Sequence, residues 1–197
     1  MARRMQFVGR PRRTLAALAV ALGAVGVAVG SGADFSAQSA NPSNTFTAGT
    51  LTMDNSKSGA AIFAPSNMKP GAPAQTGTVD IQNSGSLAGA FSLSMDSLSS
   101  TDTGTPNPSP FADKVTLTVV DCGKFSGSAA PACGDGDDVT VYDHKALSAL
   151  TSAVDLGSFA AGEKHRYQFA AALDGSAGDQ YQGDGSTARF VWNAVQS

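Results

Sequence analysis

The sequence predicts an all-β protein, folded as an antiparallel β-sandwich. Many short segments alternate apolar and polar residues with a period of two, the pattern of a strand with one buried face. Gly, Ser, Asn and Pro separate these segments, as turns between antiparallel strands require. The helical candidate at residues 144 to 152 is short and has no convincing apolar face. Several such strands in a small chain favour two packed sheets.

Six segments show the alternation most clearly, and each is predicted to be a strand. Their apolar positions are Val79 and Ile81; Phe91, Leu93 and Met95; Val115, Leu117 and Val119; Val139 and Val141; Tyr167, Phe169 and Ala171; and Phe190, Trp192 and Ala194. We expect Trp192 to fill the core, because large aromatic side chains dominate burial and the indole N–H needs only one partner.

A further strand is predicted near the segment NPSNTFTAGTLTM, residues 41 to 53, but its alternation changes phase. Phe46 and Ala48 occupy even positions, whereas Leu51 and Met53 occupy odd ones. A glycine inside a strand often marks a bulge, where one extra residue shifts the alternation. Gly49 is therefore predicted to lie at a β-bulge in the first strand.

The chain begins with the features of a signal peptide. Five arginines and no acidic residue precede an uncharged apolar run at residues 14 to 30, and SGA follows. We predict a signal helix within residues 1 to 33, cut by a signal peptidase between Ala33 and Asp34. The alternative is an uncleaved membrane anchor, although the run is short and weakly hydrophobic. The mature protein is expected to be secreted or at the cell surface, touching a membrane only through an uncleaved leader.

Removing the leader makes the chain acidic. All sixteen acidic residues follow Ala33, with only eight of the thirteen basic ones, so the mature chain has a net charge of −8. Nucleic acid is not an expected partner, because binding phosphate requires clustered Lys and Arg. Residues 34 to 197 suit one domain with its own core. No cofactor is expected.

The two cysteines, Cys122 and Cys133, flank a segment rich in Gly, Ser and Pro. In an extracellular protein such a pair is expected to form a disulfide. A metal site is the alternative, but two thiols eleven positions apart lack a nearby second ligand pair.

Proline and glycine predict the connections between strands. Residues 97 to 113 are rich in Pro, Ser and Thr, which predicts a long exposed loop. Pro70-Gly71 fits a type II turn, since Pro presets φ and Gly accepts a positive φ. The NSG run at 83 to 85 is predicted to be another turn.

No catalytic or metal-binding residues are predicted. The chain has two histidines, His144 and His165, and one glutamate, Glu163, without the spacing of a zinc peptidase. Each histidine is expected at an exposed loop or strand end. Residues 135 to 138 (DGDD) resemble part of a calcium loop, but a turn explains them as well. A Gly-x-Ser-x-Gly elbow is absent from the sequence.

Five segments, taken together, resemble the TasA/camelysin family of secreted Gram-positive proteins. They are SGADFS at 31 to 36, NTFTAGTLTM at 44 to 53, NMKPG at 67 to 71, NSGSLAGAFSL at 83 to 93 and DQYQGDGSTARFVWNAVQ at 179 to 196. They follow the family's order, and the middle of the chain, 97 to 165, is less characteristic. The cysteine pair is a departure from the family's best-known fibre protein.

The resemblance implies a jelly-roll sandwich whose copies assemble into fibres of the biofilm matrix. In such fibres, the segment after the cleavage site is donated as a strand to the next subunit. Here the donor is Asp34 to about Asn44, beginning Asp34, Phe35, Ser36, with Phe35 as its apolar anchor. The polar composition of 36 to 44 leaves a disordered tail as the alternative. Two other functions remain open: a camelysin-like surface metallopeptidase and a monomeric surface adhesin or binding module.

Overall fold

A computed structural model gives the fold and describes residues 48–103 and 107–196. The strands of this part are β1 Met53–Asn55, β2 Gln75–Asn83, β3 Gly89–Thr101, β4 Val115–Phe125, β5 Val139–Ala146, β6 Val154–Phe159, β7 Lys164–Leu173 and β8 Gly185–Gln196. Short 3₁₀ helices lie at Phe111–Asp113, Leu147–Ala149 and Asp179–Tyr181.

The described residues include no helix with the length and apolar character that crossing a bilayer requires. Residues 1–47 lie outside the described part, so the structure does not test the predicted signal helix, the predicted cleavage between Ala33 and Asp34, or the predicted donor segment with Phe35 and Ser36.

The strands form two antiparallel sheets. The larger has the order β1-β2-β7-β4-β5, and the smaller has the order β6-β3-β8. The chain passes from one sheet to the other after β2, β3, β5, β6 and β7, so most consecutive strands belong to different sheets. This arrangement confirms the predicted all-β class and is consistent with the predicted antiparallel β-sandwich, whereas the jelly-roll topology stays a prediction.

Aromatic side chains from both sheets meet in the core. Trp192 of β8 is buried, and its ring centroid lies 5.0 Å from that of Tyr167 on β7. Phe169 of β7 likewise lies 4.9 Å from Phe190 of β8. Such pairs contribute about 0.5–1.5 kcal/mol beyond the apolar area they bury. They hold the central strand of the larger sheet against the smaller sheet.

All six strands predicted from alternation are present, but the sequence missed β6. Its VDLGSF sequence contains only three large apolar residues, and Gly157 interrupts it with a φ of +85°. In β5 the prediction is wrong for Val139, which is 60% exposed, whereas Val141 packs against the core and its neighbour Tyr142 is buried. The register of β5 against β4 shifts twice, and these irregularities change which side chains face the core.

The prediction of an exposed loop over residues 97 to 113 was wrong at both ends. Strand β3 continues to Thr101, where its serines and threonines pair with β8 up to Gly185. Phe111 and Ala112 are buried in a 3₁₀ helix. A long antiparallel partner outweighs the weak strand propensity of Ser and Thr, because cross-strand pairing dominates sheet stability.

The predicted bulge at Gly49 was also wrong. Strand β1 begins only at Met53, so Gly49 precedes it. The Thr50 N–H and C=O still bond to Ser86, through the Ser86 side chain and N–H respectively. A Cβ on residue 49 would lie 2.5 Å from the Leu87 side chain. Close approach to the Leu87 side chain therefore favours glycine at this position.

Candidate functional site

A groove opens at one end of the sandwich, between the two sheets. It has a volume of about 550 Å³. Its floor is apolar and is formed by Leu117 of β4, Leu173 of β7 and Phe111, while Phe190 of β8 forms one side. This size lies within the ~300–1,000 Å³ range of common binding pockets.

Small side chains explain why the interior is not filled at this end. The residues of β8 that line the groove are Gly185, Ser186, Ala188 and Phe190, and Ala171 of β7 lies opposite. Trp192, further along β8, is buried, whereas Ser186, Ala188 and Phe190 are only half-buried. Because protein cores are otherwise close-packed, this unfilled space can accept further side chains.

The predicted turn at Pro70 and Gly71 forms part of the groove wall. Gly71 has a φ of +69°, and the Ala72 N–H donates to the Lys69 carbonyl at 3.1 Å, the arrangement expected of a type II turn. The Gly71 N–H donates to the Leu173 carbonyl at the end of β7. This bond holds the segment 63 to 70 beside the groove, and Pro70 lines it.

Strand β8 presents a free edge along the same groove. It pairs with β3 over its whole length, and within residues 48–103 and 107–196 no strand pairs with its other edge. Its backbone N–H and C=O groups on that edge can therefore bond to an added strand. Near its end, Val195 is 67% exposed, which is unusual for a large apolar residue.

The Cys122–Cys133 disulfide is formed, as the sequence predicts. Cys122 is buried in β4, and the bond closes the connection from β4 to the edge strand β5. In the described part of the chain there is no free cysteine.

His165 departs from the prediction of an exposed histidine. Its side chain is 15% exposed and lies between Asp121, 2.8 Å from Nδ1, and Glu163, 3.3 Å from Nε2. Burial alone lowers the pKa of His165, but the hydrogen bonds and charges of Asp121 and Glu163 raise it above its ordinary value. The Ala160 N–H, more than His165, lowers the pKa of Glu163.

The sequence contained only a weak signal for this cluster. Glu163 and His165 are two apart and therefore lie on one face of an extended chain. Asp121 is brought to them by an irregularity in β4, where Cys122 and Gly123 have no partners in the register with β7. Such a bulge cannot be predicted from alternation alone.

The other candidates for metal chemistry lie apart from His165. His144 is exposed at the end of β5, and the Asp135–Asp138 run forms a turn in which Asp138 accepts from the Gly134 N–H. Across residues 48–103 and 107–196, no three His, Cys, Asp or Glu side chains are grouped to hold a metal ion. Asp121 and Glu163 approach opposite edges of the His165 ring, so they do not converge on one point.

A scan against protein-family models matched no family, and a search of curated proteins found no match.

Proposed function

We propose that this protein is a secreted structural subunit, whose copies assemble into extracellular or biofilm-matrix fibres by donating a strand to the next copy. The observation that carries the proposal is the groove with an apolar floor beside the free edge of β8. The five segments that resemble the TasA/camelysin family support the same function. Signal peptidase acts first, since cleavage at Ala33 creates the new N-terminus.

The donor segment fits the groove in length. Residues 34 to 44, fully extended, span roughly 36 Å at about 3.3 Å per residue. The part of β8 that borders the groove, Gly185 to Phe190, needs only about 20 Å by the same rise. The donor can therefore pair with this part and still leave residues for the connection.

The donor segment also has a suitable alternation at its start. In an extended chain, Phe35 and Ala37 share one face, while Asp34, Ser36 and Gln38 share the other. Phe35 on the groove side adds an aromatic ring to a floor that contains Phe111 and Leu173. The charged and polar residues then face solvent, so no charge is buried without a partner.

Assembly of this kind produces open filaments. The donor and the acceptor are different surfaces of one molecule, so each bound copy leaves a free donor and a free groove. The contact is heterologous, and growth continues unless the rotation between copies closes a ring.

The test uses mature protein that begins at Asp34, imaged by negative-stain electron microscopy. We expect filaments, and we expect their loss when residues 34 to 44 are deleted or Phe35 is changed to Ser. Ser36→Ala is the matched control, because its side chain faces solvent in the proposed pairing. Undiminished filaments from the truncated protein would contradict strand donation.

A second pair of variants tests the acceptor. Ala188→Phe fills the groove and should abolish filaments, whereas Thr187→Phe places the same ring on the exposed neighbouring position and should not. Circular dichroism establishes that both variants are folded. A monomer at every concentration in light scattering would instead support a monomeric binding module.

A further inference from the structure

His165 lies where both sheets and a connecting turn meet. Its ring stacks on Phe159 of β6 with 4.3 Å between centroids, and Phe159 stacks in turn on Phe91 of β3 at 4.2 Å. Its two nitrogens face Asp121 of β4 and Glu163 of the β6–β7 turn. The ring therefore contacts the larger sheet, the smaller sheet and the turn between them.

Both carboxylates are held in place by a second bond. The other oxygen of Asp121 accepts from the Gly123 N–H at 2.9 Å, and the other oxygen of Glu163 accepts from the Ala160 N–H at 2.7 Å. A neutral imidazole carries one N–H and can donate to only one of these acceptors, whereas an imidazolium donates to both.

We propose that His165 acts as a pH-dependent link, here called the His165 clasp. When both ring nitrogens are protonated, the ring bonds to Asp121 and to Glu163 and so holds the β6–β7 turn against β4. When the imidazolium loses one proton, one of its nitrogens has a lone pair in place of an N–H. The carboxylate that faces this nitrogen, Asp121 or Glu163, then loses its hydrogen bond to His165. The stacked ring of Phe159 favours the same state, since a cation is attracted to an aromatic face.

The turn held by this clasp also anchors the end of β2. The Asn83 N–H donates to the Glu163 carbonyl at 2.9 Å, and the Gly162 N–H donates to the Asn83 carbonyl at 2.8 Å. Release of Glu163 is therefore expected to loosen the end of the sandwich opposite the groove. His165 lies eight residues along β7 from Leu173, which lines the groove. The proposal is independent of fibre assembly.

No other group described near the cluster can take over the hydrogen bonds that a protonated His165 donates to Asp121 and Glu163. Lys124 Nζ lies 3.9 Å from Glu163, but the lysine side chain is 76% exposed. The Tyr167 hydroxyl is buried, and burial raises its pKa, so it stays neutral throughout the relevant range.

Arg166 pairs with Asp80, and as the strand neighbour of His165 it faces the other side of the sheet. From β2, the residue paired with His165 is the apolar Ile81.

The direction of the pH effect follows from the raised pKa of His165. A group that binds its proton more tightly when folded stabilises the fold fully below its unfolded pKa, near 6.5. This contribution is lost as the pH rises through the folded pKa. For each unit between the two pKa values, the folding constant falls about tenfold.

The first test is a histidine NMR titration of the intact domain, in which only His144 and His165 give signals. His144→Gln assigns the two signals. We expect the His165 midpoint above 6.5, and lower midpoints in Glu163→Gln and Asp121→Asn. A His165 midpoint at or below 6.5 in the unaltered protein would overturn the proposal, and this readout needs no destabilised variant.

The second test compares urea midpoints at pH 5.5 and pH 8.5. We expect the midpoint of the unaltered protein to fall between these values, and His165→Gln to remove most of that fall. Asp80→Asn is the matched control, because it breaks a half-buried ion pair on the same strands without a histidine. Asp80→Asn should lower the urea midpoint by the same amount at pH 5.5 and at pH 8.5. An unchanged pH difference in His165→Gln would show that another group carries the effect.

Discussion

Asn83 has no solvent-exposed surface, yet every polar atom of its side chain has a hydrogen-bond partner. Its amide group donates to the Leu87 carbonyl at 2.8 Å and to the Phe159 carbonyl at 3.1 Å, and its Oδ1 accepts from the Gly85 N–H at 3.1 Å. One residue thus closes the turn after β2 and ties it to the end of β6. The sequence predicted only the turn.

Replacing Asn83 with Ala should lower the free energy of unfolding by about 3 kcal/mol, since each buried polar group left without a partner costs roughly 1–3 kcal/mol. Urea denaturation at neutral pH measures the change. Asn193→Ala is the control, because Asn193 is exposed and its bond to Ser94 Oγ lies at the surface. A loss of less than 1 kcal/mol in Asn83→Ala would show that water replaces these bonds.

His165 shows the same limit of a sequence pattern at the residue scale. Glu163 comes from the turn just before β7, whereas Asp121 comes from the irregular part of β4 and reaches His165 only because β4 pairs with β7. The residue types were visible in the sequence, but their convergence was not.

Among the elements, strand β4 and edge strand β5 carry the disulfide. Cys122 lies in the irregular part of β4, and Cys133 lies in the connection before β5. The bond limits the freedom of this connection in the unfolded chain more than in the folded one. It therefore stabilises the sandwich without adding to its core.

Reduction of the disulfide should lower the free energy of unfolding by about 3 kcal/mol, as expected for a short closed loop. For a chain of this size that corresponds to a melting temperature lower by about 6–12 °C. Calorimetry with and without a reductant measures the shift. A Cys122→Ala/Cys133→Ala variant, which has no bond to reduce, should not respond. An identical shift in that variant would mean that the reductant acts elsewhere.

Strand β8 combines two roles. Trp192 and its neighbours pack into the core, while Ser186 and Ala188 leave the groove open at the other end. The alternation of large apolar residues is clear only from Phe190 onward, and the first half of the strand has small residues instead. The groove lies at the first half of β8 because small residues of both sheets meet at that end, Ser186 and Ala188 from β8 and Ala171 from β7.

At the largest scale, the described part of the chain is one sandwich whose core is drawn from both sheets. The core residues of the described part begin at Leu51 and end at Ala194. The chain from Thr47 to Ser197 forms a compact unit by itself. Folding of this unit is therefore expected to be independent of residues 1 to 46.

Protein beginning at Ala48 should have the same stability as monomeric mature protein beginning at Asp34, within about 0.5 kcal/mol. The reason is that, in the proposed assembly, the donor segment would bind another copy and would contribute nothing to an isolated subunit. Urea denaturation at low concentration, below any assembly, measures both. A markedly less stable truncated protein would show that the segment fills the groove of its own copy, which would oppose fibre formation.

Local signals were sufficient for the all-β class, the six predicted strands, the turn at Pro70-Gly71 and the cysteine pairing. Each of these depends on residues close in the chain or on a unique pair: period-two alternation, turn chemistry, and two cysteines with no competing partner. They can be read without knowing which strands are neighbours.

The tertiary structure alone decided the extent of β3, the existence of β6, the place of Gly49, the surroundings of His165 and the groove beside β8. Each of these is set by contacts between residues far apart in sequence, such as Thr101 with Gly185 or Asp121 with His165. Alternation reports which face of a strand is buried, but it does not report what the face is buried against. That is why the sequence determined the fold class. The positions of the groove and of the His165 cluster depend on how the two sheets pack, so only the tertiary structure determined them.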